Sequence, residues 1–352
     1  MIELDGSFGE GGGAILRQAL ALSVLTGKPF TIDKIRSNRS TPGLKNQHLY
    51  CVKALQELCD AHVEGAEIGS TKISFAPREI KTKNLKVDIG TAGSITLLMQ
   101  SLLIPCIFSK KTITIEITGG TDVAWSPPID YFTNILLIQL KKYADITCEV
   151  KSRGYYPKGG GKVVVKIKGK YAFGDELPKI ELIERQDLLA IRGISHASKE
   201  LENARVAERQ ADTAVQHLKK LDIPISIRRE YCNTLNAGSG ICLWAVFGGE
   251  QVDANNPVIL GGDCLGERGK KSEKVGEEAV VALLKEISAE ACADHYLADQ
   301  LIPFLGLAGG RLKTSRVSDH VKSNIYVAEK FLNCEFKVAG NVIEQNSIAG
   351  GQ

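Results

Sequence analysis

Two stretches of this chain carry the same order of apolar and polar positions. Apolar residues recur at helical spacing from Ala14 to Leu25, directly behind the turn Gly11-Gly12-Gly13. Thr26-Gly27-Lys28 then leads into the run Phe30-Thr31-Ile32. Further along, Gly90-Thr91-Ala92-Gly93 opens a second helical run, Ser94 to Phe108, and Lys110-Lys111 turns into Thr112-Ile113-Thr114-Ile115. A glycine-rich turn, an apolar helix, a basic turn and a β-branched strand thus recur in order, which predicts an internally repeated α/β unit. Between the copies the pattern gives a helix over Leu44 to Leu58 and a strand pair near Ala66 to Phe75.

The pattern changes after Lys179. Leu182 to Ile191 reads as a strand. Leu201 to Leu221 reads as a charge-rich amphipathic helix, with Ala207, Ala211, Ala214, Val215 and Leu218 on its apolar stripe. Pro224 to Arg228 and Gly240 to Val246 read as strands, and Val275 to Ile287 as a helix. This βαββα block predicts an inserted domain. The glycine-rich, apolar style returns from Leu301 to Gly310 and from Val317 to Leu332. The expected division is residues 1–181 for the first part of a large domain, 182–288 for a smaller inserted α/β domain, and 289–352 for the rest of the large domain. Gln345 to Gln352 is expected to fray.

At 352 residues with 43% hydrophobic composition, two domains can each bury a core, and disorder is excluded. The net charge of +3 is too mild to argue for nucleic acid, so any such site must be a local patch. There are nine cysteines and no C-x-x-C pair, which points to a reducing cytoplasm and away from a zinc site. Cys51, Cys106, Cys148 and Cys242 lie in apolar runs and are expected as small buried hydrophobes. The N-terminus lacks a basic region followed by an apolar stretch, and no apolar run is long enough to span a membrane.

Five constellations hold candidate chemistry. In Gly9-Glu10-Gly11-Gly12-Gly13, with Arg17 one turn on, a glycine-rich loop enters a helix and offers N–H groups to a phosphate. Glu10 can hold a divalent metal beside it, or be a solvated side chain in a tight turn. In Arg36-Ser37-Asn38-Arg39-Ser40-Thr41-Pro42-Gly43-Leu44-Lys45, two arginines match phosphate oxygens and no carboxylate neutralises them. Gln47 and His48 follow at the start of a helix, as packing, capping or site residues. In Val123-Ala124-Trp125-Ser126-Pro127-Pro128, Trp125 either stacks on a base or, as is commoner, packs in the core. In His295-Tyr296-Leu297-Ala298-Asp299-Gln300, a helix puts Tyr296, Asp299 and Gln300 on one face, able to grip a nucleotide, with Leu297, Leu301 and Phe304 inward. In Ser318-Asp319-His320-Val321, Ser318 or Asp319 caps a helix whose apolar stripe is Val321, Ile325, Ala328 and Leu332. His320 then sits in the first turn, where the helix dipole keeps imidazole neutral and nucleophilic.

One run is more specific: Arg153-Gly154-Tyr155-Tyr156-Pro157-Lys158-Gly159-Gly160-Gly161-Lys162-Val163. By itself it is a tight loop entering a buried strand. It resembles the signature of the RNA 3′-terminal phosphate cyclase family, with a basic residue, Gly, Pro, three glycines and an aliphatic at the fixed places. Taken with Glu10 and its glycines, the arginine loop, Tyr296 to Gln300 and His320, the resemblance covers the chain from Asp5 to about Leu332.

The resemblance implies an α/β (α+β) fold, with repeated units of helices over four-stranded sheets and a smaller inserted domain. It implies an enzyme that uses ATP to convert the 3′-phosphate of an RNA to a 2′,3′-cyclic phosphate through a histidyl-AMP. By analogy His320 is the nucleophile and Glu10 the ligand of Mg²⁺ or Mn²⁺. Arg17, Arg36 and Arg39 grip phosphate, with Gln47 and His48 in the same cleft. Gln100 and the run Tyr296, Leu297, Ala298, Asp299, Gln300 form the adenylate pocket. Three other readings stay open: a non-enzymatic relative that lacks the histidine, an enolpyruvyl-transferase-like enzyme, and a simple RNA-binding module. His320 weighs against the first and the signature against the second. A monomer and a homodimer fit the sequence equally.

Overall fold

The computed structural model describes residues 1–81 and 84–347. Its first unit runs β1 (Ile2–Asp5), α1 (Ala14–Thr26), β2 (Phe30–Asp33), α2 (Asn46–Cys59), β3 (His62–Glu64) and β4 (Ile73–Ala76). The second runs β5 (Leu85–Asp88), α3 (Ile95–Ile107) and β6 (Thr112–Gly119), then a helical segment and a hairpin. The segment joins α4 (Ile129–Tyr131), a π-helical turn at Phe132–Leu136 and α5 (Leu137–Leu140); the hairpin is β7 (Ala144–Ser152) and β8 (Gly161–Gly169). The sheets have matching orders, β1-β2-β4-β3 and β5-β6-β8-β7. In both the first pair is parallel and the others antiparallel. The predicted repeat is therefore present.

A third copy is split in sequence. It starts with β9 (Ile180–Leu182) and is then interrupted by β10 (Asp187–Ser198), α6 (Val206–Leu218), β11 (Ile225–Cys232), β12 (Ser239–Gly248), β13 (Val258–Leu265) and α7 (Ser272–Ser288). It resumes with α8 (His295–Ala308), β14 (Gly310–Lys313), α9 (Asp319–Phe331), β15 (Cys334–Ala339) and β16 (Val342–Ser347). Its sheet, β9-β14-β16-β15, repeats the order and the parallel first pair of the other two. The interrupting segment builds its own sheet, β11-β10-β12-β13, and α6 and α7 pack on it.

Helix α1 sits at the centre, against α2, α3 and α9. Every residue from Ala14 to Leu25 is buried. This explains its near-continuous apolar sequence: a helix covered on all sides needs no polar face. Of its three buried polar side chains, Ser23 donates to the Lys28 carbonyl at 2.6 Å, and Arg17 and Gln18 are informative because a buried polar side chain needs a partner or a ligand.

Several boundaries differ from the sequence reading. The run Leu182 to Ile191 is two strands, β9 and β10, with a break between them. The pair placed near Ala66 to Phe75 is β3, which starts earlier at His62, and β4. The predicted βαββα block has one strand more, β13, which runs through Gly261-Gly262-Asp263. The Leu201 to Leu221 helix is α-helical only from Val206 to Leu218, with 3-10 turns on either side. Cys148 is half-buried, whereas Cys51, Cys106 and Cys242 are buried as expected. The tail does not fray from Gln345: β16 holds its start, and residues 348–352 lie outside the described residues.

The signature run forms the β7–β8 hairpin. Gly159 and Gly160 have φ of +69° and +74°, the left-handed region that favours glycine. Arg153, just before the turn, is buried in a charge network. Its Nη1 donates to Asp122 Oδ2 at 3.1 Å, and its Nη2 to Asp130 Oδ2 at 2.9 Å and Glu230 Oε2 at 3.0 Å. Tyr155 Oη is 2.8 Å from His196 Nδ1, and His196 Nε2 lies 3.4 Å from Asp122. Arg153 thereby ties the second unit to β11, which carries Glu230. Asp122, Asp130 and His196 lie close enough to share a cation, but the Arg153 guanidinium already supplies that charge.

Candidate active site

The helices converge on one cavity of about 1290 Å³. Gly13 and Ala14 open α1 at its wall, Gln47 and His48 open α2, and Ser94 caps α3. His295 starts α8, and Ser318 and His320 start α9. Each helix N-terminus carries partial positive charge and free N–H groups, so the shared cavity favours anions.

The start of α9 is set by Ser318, whose Oγ accepts from Val321 N at 3.1 Å. This cap puts His320 in the first turn with its ring at the cavity. Burial, reinforced by Arg17 and Arg39, lowers its pKa to about 4, so the imidazole is neutral at physiological pH. The N-terminal loop is pinned against the same helix. Phe8 stacks on Tyr326 at 4.4 Å, and Tyr326 Oη accepts from Asp5 N at 3.1 Å. This brings Glu10 Oε2 to 3.1 Å from His320 Nδ1. Glu10 Oε1 pairs with Arg39, so the partner missing from the arginine loop comes from the other loop. Glu10 Oε2 is buried and makes no hydrogen bond; the His320 contact is close but lacks hydrogen-bond geometry.

Arg17 lies deeper. It is only 8% exposed, and its Nε donates to Gln100 Oε1 at 3.1 Å. A Cβ on Gly13 would stand 2.3 Å from His48 Nε2 and 2.9 Å from Arg17 Nη1, so glycine is required for this approach. Burial and the nearby cations Arg17, Arg36, Arg39 and Lys45 lower the His48 pKa to about 3. His48 is thus a neutral hydrogen-bonding group; its Nδ1 accepts from Lys45 N at 3.3 Å. Arg36 is held by the carbonyls of Thr41 and Gly43, each at 2.8 Å, and also lines the cavity.

The opposite wall is α8. Asp294 caps it, accepting from Tyr296 N at 3.0 Å, Leu297 N at 2.9 Å and Tyr131 Oη at 2.6 Å. Tyr296 packs against His295 at 4.0 Å and edge-on to Tyr131 at 5.9 Å. Tyr296, Asp299 and Gln300 all line the cavity. Burial raises the Asp299 pKa to about 7 despite the opposing pull of Arg17. Leu297 and Ala298 are fully buried in the core and do not line the cavity. Of the predicted site residues, these two alone are not brought to it.

The residue matches extend to the whole chain. The family model described as RNA 3′-terminal phosphate cyclase matches residues 8–338. The chain belongs to the RNA 3′-terminal phosphate cyclase family. It is 46% identical over 352 residues to the protein of that name from Pyrococcus furiosus, covering 99% of this chain and 98% of the relative. To the one from Pyrococcus abyssi it is 45% identical over 343 residues, covering 97% and 96%. To the one from Archaeoglobus fulgidus it is 45% identical over 346 residues, covering 97% and 99%.

In this member of the cyclase family the cavity also holds residues that no motif singled out. Gln18 is 8% exposed and its Nε2 has no hydrogen-bond partner. Its only sequence signal is a polar position inside an otherwise apolar helix. Asn324 lines the wall and its Nδ2 donates to the Asp299 carbonyl at 2.7 Å, joining α9 to α8. Arg316 and Arg268 add cations from loops without a pattern. Trp125, expected more often in a core, is instead 98% exposed at the cavity mouth. Among the described residues, no helix is long and apolar enough to cross a membrane.

Proposed function

We propose that this chain uses ATP to convert the 3′-phosphate of an RNA to a 2′,3′-cyclic phosphodiester through a covalent AMP adduct on His320. The observation that carries the reading is a neutral imidazole at the start of α9, facing Arg17 and Arg39 in a cavity lined by helix N-termini. A neutral nitrogen can attack a phosphorus atom, and the cations and N–H groups stabilise the charge that develops. The relatives' name, RNA 3′-terminal phosphate cyclase, supports the substrate class.

The chemistry has three steps. Because His320 Nδ1 faces Glu10, Nε2 is the free nucleophile; it bonds to the α-phosphorus of ATP as the bond to pyrophosphate breaks. An oxygen of the RNA 3′-phosphate then bonds to that phosphorus as the N–P bond breaks, returning neutral His320. Finally the adjacent 2′-OH loses its proton and attacks the 3′-phosphorus, and AMP leaves. Arg17, Arg36 and Arg39 hold phosphates; Tyr296, Asp299, Gln300 and Gln100 hold the adenosine, with Gln18 Nε2 as a further donor. Gln47 and His48 complete the cleft.

The buried, unbonded Oε2 of Glu10 fits a divalent cation such as Mg²⁺ or Mn²⁺. Bound there, the ion would neutralise phosphate charge. The nine unpaired cysteines suit a reducing, cytoplasmic setting. We read residues 182–288 as a separate inserted domain.

The test is incubation with ATP and an RNA ending in a labelled 3′-phosphate, followed by phosphatase. A label that becomes phosphatase-resistant with wild type but not with His320→Ala supports the proposal. A label that stays sensitive with folded wild type, fresh ATP and a divalent metal overturns it.

A further inference from the structure

Trp125 is 98% exposed and has φ of +61°, a left-handed conformation that a bulky aromatic rarely adopts. Tyr156, in the signature hairpin, is 77% exposed. Large aromatics left in water are unusual, and both line the mouth of the cavity that holds His320. Their loops are held side by side. Thr121 N donates to the Gly154 carbonyl at 2.9 Å, Gly154 N donates back to Thr121 Oγ1 at 2.9 Å, and Asp122 bridges to Tyr155. From this joint the chain runs three residues to Trp125 and one to Tyr156.

A third element fixes the signature loop. Asn236, between β11 and β12, donates from Nδ2 to the Tyr156 carbonyl at 2.7 Å and accepts from Lys158 N at 3.3 Å. The cavity mouth therefore combines two exposed rings, a rigid support and the exposed cation Arg268, with Lys158 exposed two residues beyond Tyr156. Aromatic faces beside cations are how proteins bind single-stranded nucleic acid without reading its sequence.

We propose that Trp125 and Tyr156 form a stacking platform for the bases at the 3′ end of a single-stranded RNA. This rests on the cyclase reading for the identity of the ligand. The rings take the bases while the phosphate grip, deeper in the cavity, takes the 3′-phosphate. Because every base has a π-face, the platform accepts any terminal sequence.

The chain has two tryptophans, and the other, Trp244, is buried at 8% exposure. Trp125 is thus a built-in reporter. The experiment titrates the full chain, without ATP, with a short single-stranded RNA carrying a 3′-phosphate and with the same RNA made abasic at its terminal nucleotides. Normal RNA should quench the exposed tryptophan, and Trp125→Ala and Tyr156→Ala should each weaken binding about ten-fold. Trp125→Phe should recover most of the loss. The abasic RNA should bind wild type more weakly than normal RNA binds either alanine variant, and adding Trp125→Ala or Tyr156→Ala should weaken the abasic RNA little further. Wild-type affinity in both alanine variants, or losses that multiply, would overturn the platform. The titration needs no turnover, so the two readings fail separately. RNA quenching without cyclisation sinks the cyclase reading alone, and cyclisation with unchanged affinity in Trp125→Ala sinks the platform alone.

Discussion

Glu10 Oε2 lies 3.1 Å from His320 Nδ1, joining the first loop of the chain to the start of its last α-helix. The carboxylate faces one ring nitrogen and leaves the other open. Glu10→Gln keeps the shape and removes the charge. It should slow AMP transfer to His320 about a hundred-fold or more, the scale of losing a group that neutralises the developing phosphate charge, here by weakening the hold on a cation. Single-turnover labelling checks this, and a rate near that of wild type would count against the assigned role.

The His320 pKa of about 4 sets a pH dependence. The reactive form is neutral, so activity is present above the folded pKa and lost as pH falls through it. AMP transfer should therefore stay level through the range around pH 6.5, where an ordinary histidine titrates, and fall only toward pH 4. Arg39→Ala removes one of the cations that lower this pKa, so the acid limb should move up. A wild-type inflection near 6.5 that persists in Asp299→Asn, whose carboxyl titrates near 7 in the same cavity, would show an unperturbed imidazole.

Arg153 is 3% exposed and holds Asp122, Asp130 and Glu230. Removing one partner of a buried ionic cluster leaves charges uncompensated. Arg153→Ala should destabilise the fold by about 3–5 kcal/mol, measured by urea unfolding. Lys322→Ala breaks an exposed pair with Asp319 and should leave the urea midpoint almost unchanged. Similar costs for the two would contradict the role given to Arg153.

Ser318 caps α9. Ser318→Ala should cost about 1 kcal/mol of stability. It should also slow AMP transfer, because the cap fixes the turn that carries His320. Stability loss with full transfer would separate cap from site.

Much of the fold was legible because its units are local. The first two repeats each run unbroken, so glycine turn, helix and strand follow one another in the same order in the sequence. The third was hidden because a whole sheet intervenes between β9 and α8, and β9 has only three residues. Likewise Glu10, Arg39 and His320 stood out as residue types in suggestive loops, but nothing in one loop reveals that another supplies its counter-charge. The Arg153 network draws on the turn after β7, the loop and helix after β6, and β11, and such long-range pairing leaves no periodic trace. The sequence leaves Trp125 open to an exposed or a buried place, with burial the commoner for so hydrophobic a ring, whereas a left-handed turn presents it to water.

The most direct test of the account is covalent labelling with α-labelled ATP and a divalent metal, followed by denaturing separation of wild type and His320→Ala. The account predicts an acid-labile, alkali-stable label on wild type and none on folded His320→Ala. A label of equal intensity on His320→Ala, or none on wild type with fresh ATP and metal, would contradict it.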